Sequence, residues 1–371
     1  MKKKAKVTII SRESNNKTID VRMLEAELLR RGIEVKTLCK LLTKDKSIKA
    51  LGYIGHVMQQ EAAILSSDVV VLDTYCIPAS MIPHRKTTKI IQMWHALAAI
   101  KKFGWQTVGM KDGSSEKTAK LMRMHSGYDY VVCASDITAE HFCEGFRVSR
   151  DKIVKAGLPR IDYIKSVAAG RRKDELREKL FGKYPQLEGR ERKTVLYAPT
   201  FRRNADVSAA IDNLLDSIDT EKYNIAVKLH PLYRGSCGSD LVRKYENNSA
   251  VIFDYRFRSF DWLAVADIII SDYSSLVVEV TAADKPLFLY VHDIDEYKSS
   301  TGLNVDFDSE PIAPYVFRDA DSLAAALEKP YDMELLREFR DRYIDINIGS
   351  VDEEGYCTAK LADFIESLLQ K

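Results

Sequence analysis

The chain is poor in cysteine and poorer in the patterns cysteine makes. Its six cysteines (Cys39, Cys76, Cys133, Cys143, Cys237 and Cys357) form no C-x-x-C pair. That excludes a disulfide-stapled scaffold, and runs such as Val131-Val132-Cys133 read as reduced core. No stretch approaches the roughly 18 apolar residues of a membrane span. Met1-Lys2-Lys3-Lys4 is followed by only Val7–Ile10 before Ser11-Arg12-Glu13, too short an apolar run for a signal peptide. Neither G-x-x-x-x-G-K-[ST] nor G-x-G-x-x-G occurs, which removes a P-loop and a dinucleotide fingerprint. There is no low-complexity segment and no short repeat.

Net charge is also nearly absent, at +2, but its distribution is uneven. Residues 1–50 carry 14 Lys/Arg against 6 Asp/Glu, and residues 301–371 carry 7 against 16. The basic end suits an anionic polymer or an anionic membrane surface, unless its charges only solvate helix faces. No recognised nucleic-acid module surrounds it, so nucleic acid is not an expected partner. Asp293-Ile294-Asp295, Asp306-Phe307-Asp308 and Asp319-Ala320-Asp321 are D-x-D triplets of the kind metal-dependent transferases use. Three of them in one acidic region read as solvated loops, so no metal site is expected.

What is present is an ordinary globular composition, 46% hydrophobic and 30% charged, in 371 residues. That length predicts two domains. Short β-branched runs alternate with helical patterns: strands at Val7–Ile10, Val35–Cys39, Val69–Leu72, Lys89–Met93 and Tyr130–Cys133, then again at Thr194–Tyr197, Ile225–Leu229, Val251–Phe253, Ile268–Ile270 and Leu287–Tyr290. The spacing predicts an α/β fold of two parallel sheets, residues 1–165 and 166–371, with the last helix free to pack back on the first domain. Helices are expected over 19–31, 171–183, 322–342 and 356–369. Ligands of such folds bind outside the carboxyl ends of the strands.

Four strand ends carry chemistry. Ile268–Ile270 runs into Ser271-Asp272-Tyr273-Ser274-Ser275 and a helix start, which offers backbone N–H groups and hydroxyls to an anion. The alternative is that Ser274 or Ser275 merely caps that helix. Gln92-Met93-Trp94-His95-Ala96 follows a strand of the first half, with Lys101, Lys102 and Gly104 behind it. Tyr197-Ala198-Pro199-Thr200-Phe201-Arg202-Arg203 and Lys228-Leu229-His230-Pro231 end strands of the second half. His56, His84, His125, His141 and His292 have no such setting and read as structural.

In order along the chain, W-H-A-x-x-x-x-K-x-x-G, Y-A-P-T-F-R, K-L-H-P and S-D-Y-S-S resemble the CDP-glycerol:poly(glycerophosphate) glycerophosphotransferase family, which makes teichoic acids and related envelope polymers. Gly157-Leu158-Pro159-Arg160-Ile161-Asp162 resembles a further family turn. Ala96 stands where the family usually has Gly, and Glu354-Gly355 where it often has Asp-Gly. The resemblance implies a GT-B fold, two Rossmann-like domains facing across a cleft, with the acceptor on the first and the nucleotide on the second. It implies metal- and cofactor-independent transfer of glycerol phosphate or ribitol phosphate from CDP-glycerol or CDP-ribitol to a lipid-linked or polymeric polyol-phosphate acceptor, releasing CMP. The place of work would be the cytoplasmic face of the cell membrane, held peripherally.

On this reading His95 is the general base toward the acceptor hydroxyl. His230, Ser274, Ser275 and Thr200 bind the donor's pyrophosphate, with Arg202, Arg203 and, more weakly, Arg160 as guanidinium clamps. Glu279 takes the ribose hydroxyls, and Lys101 and Lys102 take acceptor or phosphate charge. Two rivals remain: a GT-B glycosyltransferase using a nucleotide-sugar, and a non-catalytic binder of anionic polymer or lipid, which would need no base.

Overall fold

The computed structural model describes residues 6–41, 49–111, 113–189, 191–200, 202, 207–229, 238–353 and 355–370. Two parallel six-stranded sheets organise them. The first contains β1 (Lys6–Ser11), β2 (Glu34–Cys39), β3 (Val69–Leu72), β4 (Lys89–Gln92), β5 (Tyr130–Cys133) and β6 (Ile153–Lys155), in the order β2-β1-β3-β4-β5-β6. The second contains β7 (Lys193–Tyr197), β8 (Tyr223–Val227), β9 (Val251–Phe253), β10 (Ile268–Ser271), β11 (Leu287–Tyr290) and β12 (Val316–Phe317), in the order β12-β11-β10-β7-β8-β9. Central strands are apolar on both faces because helices cover both: Val69–Leu72 and Ile268–Ser271 are buried throughout.

Each order contains a switch point. In the first sheet the chain turns back between β1 and β3, paired at Ile10 and Leu72. In the second it turns back between β7 and β10, paired at Tyr197 and Ile270. The crevice outside the carboxyl ends of such a switch point is the usual binding place of a doubly wound sheet. In the first sheet that edge holds the residues after Ser11, Leu72 and Gln92, and in the second those after Tyr197 and Ser271.

One compact unit takes Met1–Tyr163, Ser300–Gly302 and Tyr343–Lys371, and the other takes Ile164–Ser299 and Leu303–Arg342. The sequence boundary drawn at 165/166 thus has beside it a division at Tyr163/Ile164, with the chain end in the first unit. Helix Tyr356–Leu369 is fixed there by Asp162, which accepts from Cys357 N at 2.9 Å, Thr358 N at 2.7 Å and Thr358 Oγ1 at 2.6 Å. Arg31 reaches Asp363 and Glu366 on the same helix, so basic and acidic chain ends partly neutralise each other.

Three expectations need correction. The helix expected over 322–342 is two, Ala320–Leu327 and Met333–Tyr343, because Pro330 lacks the N–H and clashes with the preceding turn. Helix Lys49–Ser66 was not foreseen, since Gly52 and Gly55 dilute its pattern. Asp293 is no solvated loop residue, as its ion pair below establishes. No described helix is long and apolar enough to cross a membrane.

Candidate active site

At the first sheet's edge the chain leaves β4 through a strained residue. Trp94 adopts φ 65°, a left-handed conformation costly for a bulky side chain. Its N–H donates to Gln92 Oε1 at 2.9 Å, and its ring packs against Phe103 and Phe146. Gly104 also has a positive φ, 55°, and a Cβ there would strike the carbonyl of Gly145. These contacts set the loop that presents His95, whose ring lies 4.0 Å from that of Trp94.

His95 Nδ1 lies 2.9 Å from the backbone oxygen of Asp73 and 3.7 Å from Glu13 Oε1. A carbonyl only accepts, so Nδ1 carries the proton and Nε2 keeps its lone pair. Beneath it Asp73 is 2% exposed, and neither carboxylate oxygen has a well-formed hydrogen bond among the described residues. Burial pushes its carboxyl up to about 6; Glu13 adds to the rise, while Ser11, His95 and Thr74 oppose it. Nearby His125 is neutral core: burial pushes its imidazole down to about 3, and Nδ1 meets Tyr128 Oη at 2.9 Å. Lys101 and Lys102 are half-buried on the same unit, and the Lys102 N–H donates to Gly302 O.

At the second sheet's edge two motifs are tied together. Asp272 accepts from Thr200 N at 3.0 Å, from the Thr200 hydroxyl and from Arg202 Nη2 at 3.0 Å. Ser271 Oγ donates to Ala198 O at 2.8 Å. Arg202 also donates through Nε to Asp293 Oδ2 at 2.7 Å and lies over the rings of Tyr273 and Tyr297. Burial works against the charge of Asp293, but Arg202 outweighs it and holds the carboxyl below its ordinary value. Arg202 is therefore a buried brace between two carboxylates.

Arg160 lies in the first unit and pairs with Asp20, 2% exposed, through its N–H and Nε at 2.8 Å each. Glu279 is 2% exposed rather than open to a ribose.

Ser274 and Ser275 remain half-exposed. The Ser275 hydroxyl makes no hydrogen bond among the described residues, and Ser274 Oγ accepts only a long one, 3.3 Å, from Leu276 N. Capping therefore does not consume both hydroxyls. The helix they open is four residues, Leu276–Glu279, continuing as a 3₁₀ turn. His230 and Arg203 lie outside the described residues. Lys228, of the same K-L-H-P motif, donates to Asp254 Oδ2 at 2.9 Å and to the carbonyls of Asp254 and Phe257, fixing the loop after β9.

The sequence reading missed Arg12, Glu13 and Asp73 around His95, and the brace of Asp272 and Asp293. The available signal was their place: each follows the end of a central strand. Among the described residues no cluster of His, Cys, Asp and Glu is arranged to hold a metal ion.

Comparison with known proteins follows from this geometry. A family model described as CDP-Glycerol:Poly(glycerophosphate) glycerophosphotransferase matches residues 1–354. A teichoic acid ribitol-phosphate primase of Bacillus spizizenii is 28% identical over 328 residues, spanning 85% of this chain and 79% of its own. A teichoic acid glycerol-phosphate primase of Bacillus subtilis is 28% identical over 323 residues, spanning 85% and 77%. Among solved structures, the wall teichoic acid polymerase TagF superposes with a TM-score of 0.72 at 19% identity, over 98% of this chain and 89% of its own. A Staphylococcus aureus MnaA–UDP structure superposes with a TM-score of 0.63 at 14% identity, covering 99% and 97%. The architecture is GT-B-like.

Proposed function

The chain belongs to the CDP-glycerol:poly(glycerophosphate) glycerophosphotransferase family, and we propose that it transfers glycerol phosphate or ribitol phosphate from a CDP-linked donor to a polyol-phosphate acceptor. The acceptor's terminal hydroxyl attacks the phosphorus nearer the polyol, the pyrophosphate bond breaks, and CMP leaves. A neutral alcohol is a poor nucleophile, so a base must take its proton. The observation that carries the reading is His95: Nδ1 is committed to the Asp73 carbonyl at 2.9 Å, which leaves Nε2 for that proton. Ser274, Ser275 and the N–H groups of their turn bind the donor pyrophosphate, held in place by the Asp272–Arg202–Asp293 brace, with His230 assigned beside them from its motif. Arg203, Thr200 and Lys101–Lys102 keep supporting roles on the donor and acceptor sides.

The test is incubation with CDP-glycerol and CDP-ribitol separately, with a lipid-linked or oligomeric acceptor, reading CMP release and product length. CMP release that needs acceptor supports the reading. Release of UDP or GDP from a nucleotide-sugar instead would make it a glycosyltransferase on the same fold.

Peripheral association with the cytoplasmic face of the membrane belongs to the same proposal. Helix Lys49–Ser66 turns Ile54, Met58, Ala62 and Leu65 outward, one apolar stripe at helical spacing, with Ile54 57% and Met58 68% exposed. Exposed Arg85 and Lys86 follow closely, and Arg85 is bonded to Ser67 O at the helix end. A bilayer with anionic headgroups suits both features. Vesicle co-sedimentation should require anionic lipid, weaken with salt, and fall further when Ile54 and Met58 become Ser. Indifference to that double change would exclude this helix.

A further inference from the structure

Arginines at the ends of these sheets divide into two kinds. Arg160 is paired with Asp20, Arg202 with Asp272 and Asp293, and Arg31 with Glu27, Asp363 and Glu366. Arg12, half-buried directly after β1 at the first sheet's switch point, has no carboxylate within ion-pair distance among the described residues. Its Nη1 donates to the Tyr75 carbonyl, its Cζ lies 5.8 Å from the Tyr75 ring centroid, and its buried Nε–H has no hydrogen-bond partner among the described residues. The groups that feel its charge are Tyr53, Tyr75 and Cys76, all pushed by burial toward their neutral forms, and His125, neutral by burial too. His125 also feels His95, so base and guanidinium share one neighbourhood. Glu13, next in sequence, directs its carboxylate at His95 instead, and Asp73 lies beyond ion-pair distance of Arg12.

A guanidinium with no described carboxylate within ion-pair distance, near a general base at a ligand-binding edge, suits an anion. We propose that Arg12 binds the phosphodiester of the acceptor's terminal unit, holding the polyol so that its free hydroxyl meets His95 Nε2. This rests on the reading of the first unit as the acceptor unit. It explains how a polymer end is told from a free polyol: glycerol or ribitol alone brings the hydroxyl but no phosphate.

The test uses the full chain with R12Q and R12K. With CDP-glycerol or CDP-ribitol and an oligomeric polyol-phosphate acceptor, R12Q should raise the acceptor KM tenfold or more and leave the donor KM within twofold. R12K, which keeps the charge but loses the fork, should raise acceptor KM severalfold, and it serves alone if R12Q fails to fold. Independently of turnover, calorimetric titration with a glycerol phosphate oligomer should give binding to wild type that R12Q and R12K weaken in that order, and glycerol should not compete. If wild type turns over no CDP-polyol yet binds the oligomer through Arg12, the transferase reading fails and the Arg12 site stands. Unchanged oligomer binding and acceptor KM in these variants, or an equal rise in donor KM, overturns the proposal.

Discussion

The two switch-point edges are built from similar residues and satisfied in opposite ways. Among the described residues of the second sheet's edge the cations are answered: Arg202 by Asp272 and Asp293, Lys228 by Asp254. What the described residues leave for a ligand is neutral, the Ser274 and Ser275 hydroxyls and the turn's N–H groups. Among the described residues of the first sheet's edge the charges are left over: Arg12 has no carboxylate within ion-pair distance, Asp73 lacks well-formed hydrogen bonds, and Glu13 stands 3.7 Å from His95. A site that must hold a dianionic leaving group still gains from pre-satisfied, rigid dipoles. A site that must move a proton needs groups whose protonation is poised. Under the proposed function, that contrast goes with binding at one edge and chemistry at the other.

The sharpest way to break that division is His95→Ala. Loss of a general base costs roughly 10²–10⁴-fold in turnover, while calorimetric CDP affinity should stay near wild type. Donor binding that falls along with rate would abolish the assignment of chemistry to the first edge.

Next in size is the brace. Arg202→Ala leaves Asp272 and Asp293 buried without their cation, and breaking such a pair typically costs about 3–5 kcal/mol. Denaturant unfolding should show that loss, since the guanidinium is only 5% exposed. A variant of wild-type stability with weakened CDP binding would favour the clamp role expected of Arg202. Ser274→Ala or Ser275→Ala should instead leave stability unchanged and reduce CDP affinity by about 1.5–3 kcal/mol, the worth of a hydrogen bond to a charged group. Unaltered affinity in both would make the turn a cap.

How much of this was legible follows from the same contrast. Strand runs such as Val69–Leu72 and Ile268–Ile270 announced both sheets, because strands buried on two faces carry one unbroken apolar signal. The motif histidine at the end of β4 could be found by its position. For Arg202 the sequence shows a guanidinium but not the carboxylates, 70 and 91 residues away, that take it. Arg12 is the converse: its place after β1 is visible in the sequence, but that no described carboxylate lies within ion-pair distance of it shows only in the fold.

The smallest effect tests whether the first edge is poised at all. The Asp73 carboxyl is pushed up to about 6 from an ordinary 3.8, so the folded chain holds this proton more tightly than the unfolded chain. Its contribution to stability is then full below the unfolded value and lost as pH rises through the folded one. Between about pH 4.5 and about pH 7 wild type should lose about 2 kcal/mol on this account. Asp73→Asn cannot titrate there, so its stability relative to wild type should climb by that amount over the same interval. Any constant cost of burying the amide cancels in the difference between the two pH values. The groups facing Asp73, namely Ser11, Glu13, Thr74 and His95, are retained in the variant. Asp293→Asn supplies the opposite sign, because Arg202 holds that carboxyl low: the variant should be destabilised at neutral pH, with the deficit shrinking as acid protonates the wild type. Two opposite slopes would establish that one edge stores an uncompensated charge and the other has closed its own. A flat difference for Asp73→Asn would mean that water or a neighbouring hydroxyl satisfies the carboxylate, and the two edges would then differ in residues but not in electrostatic design.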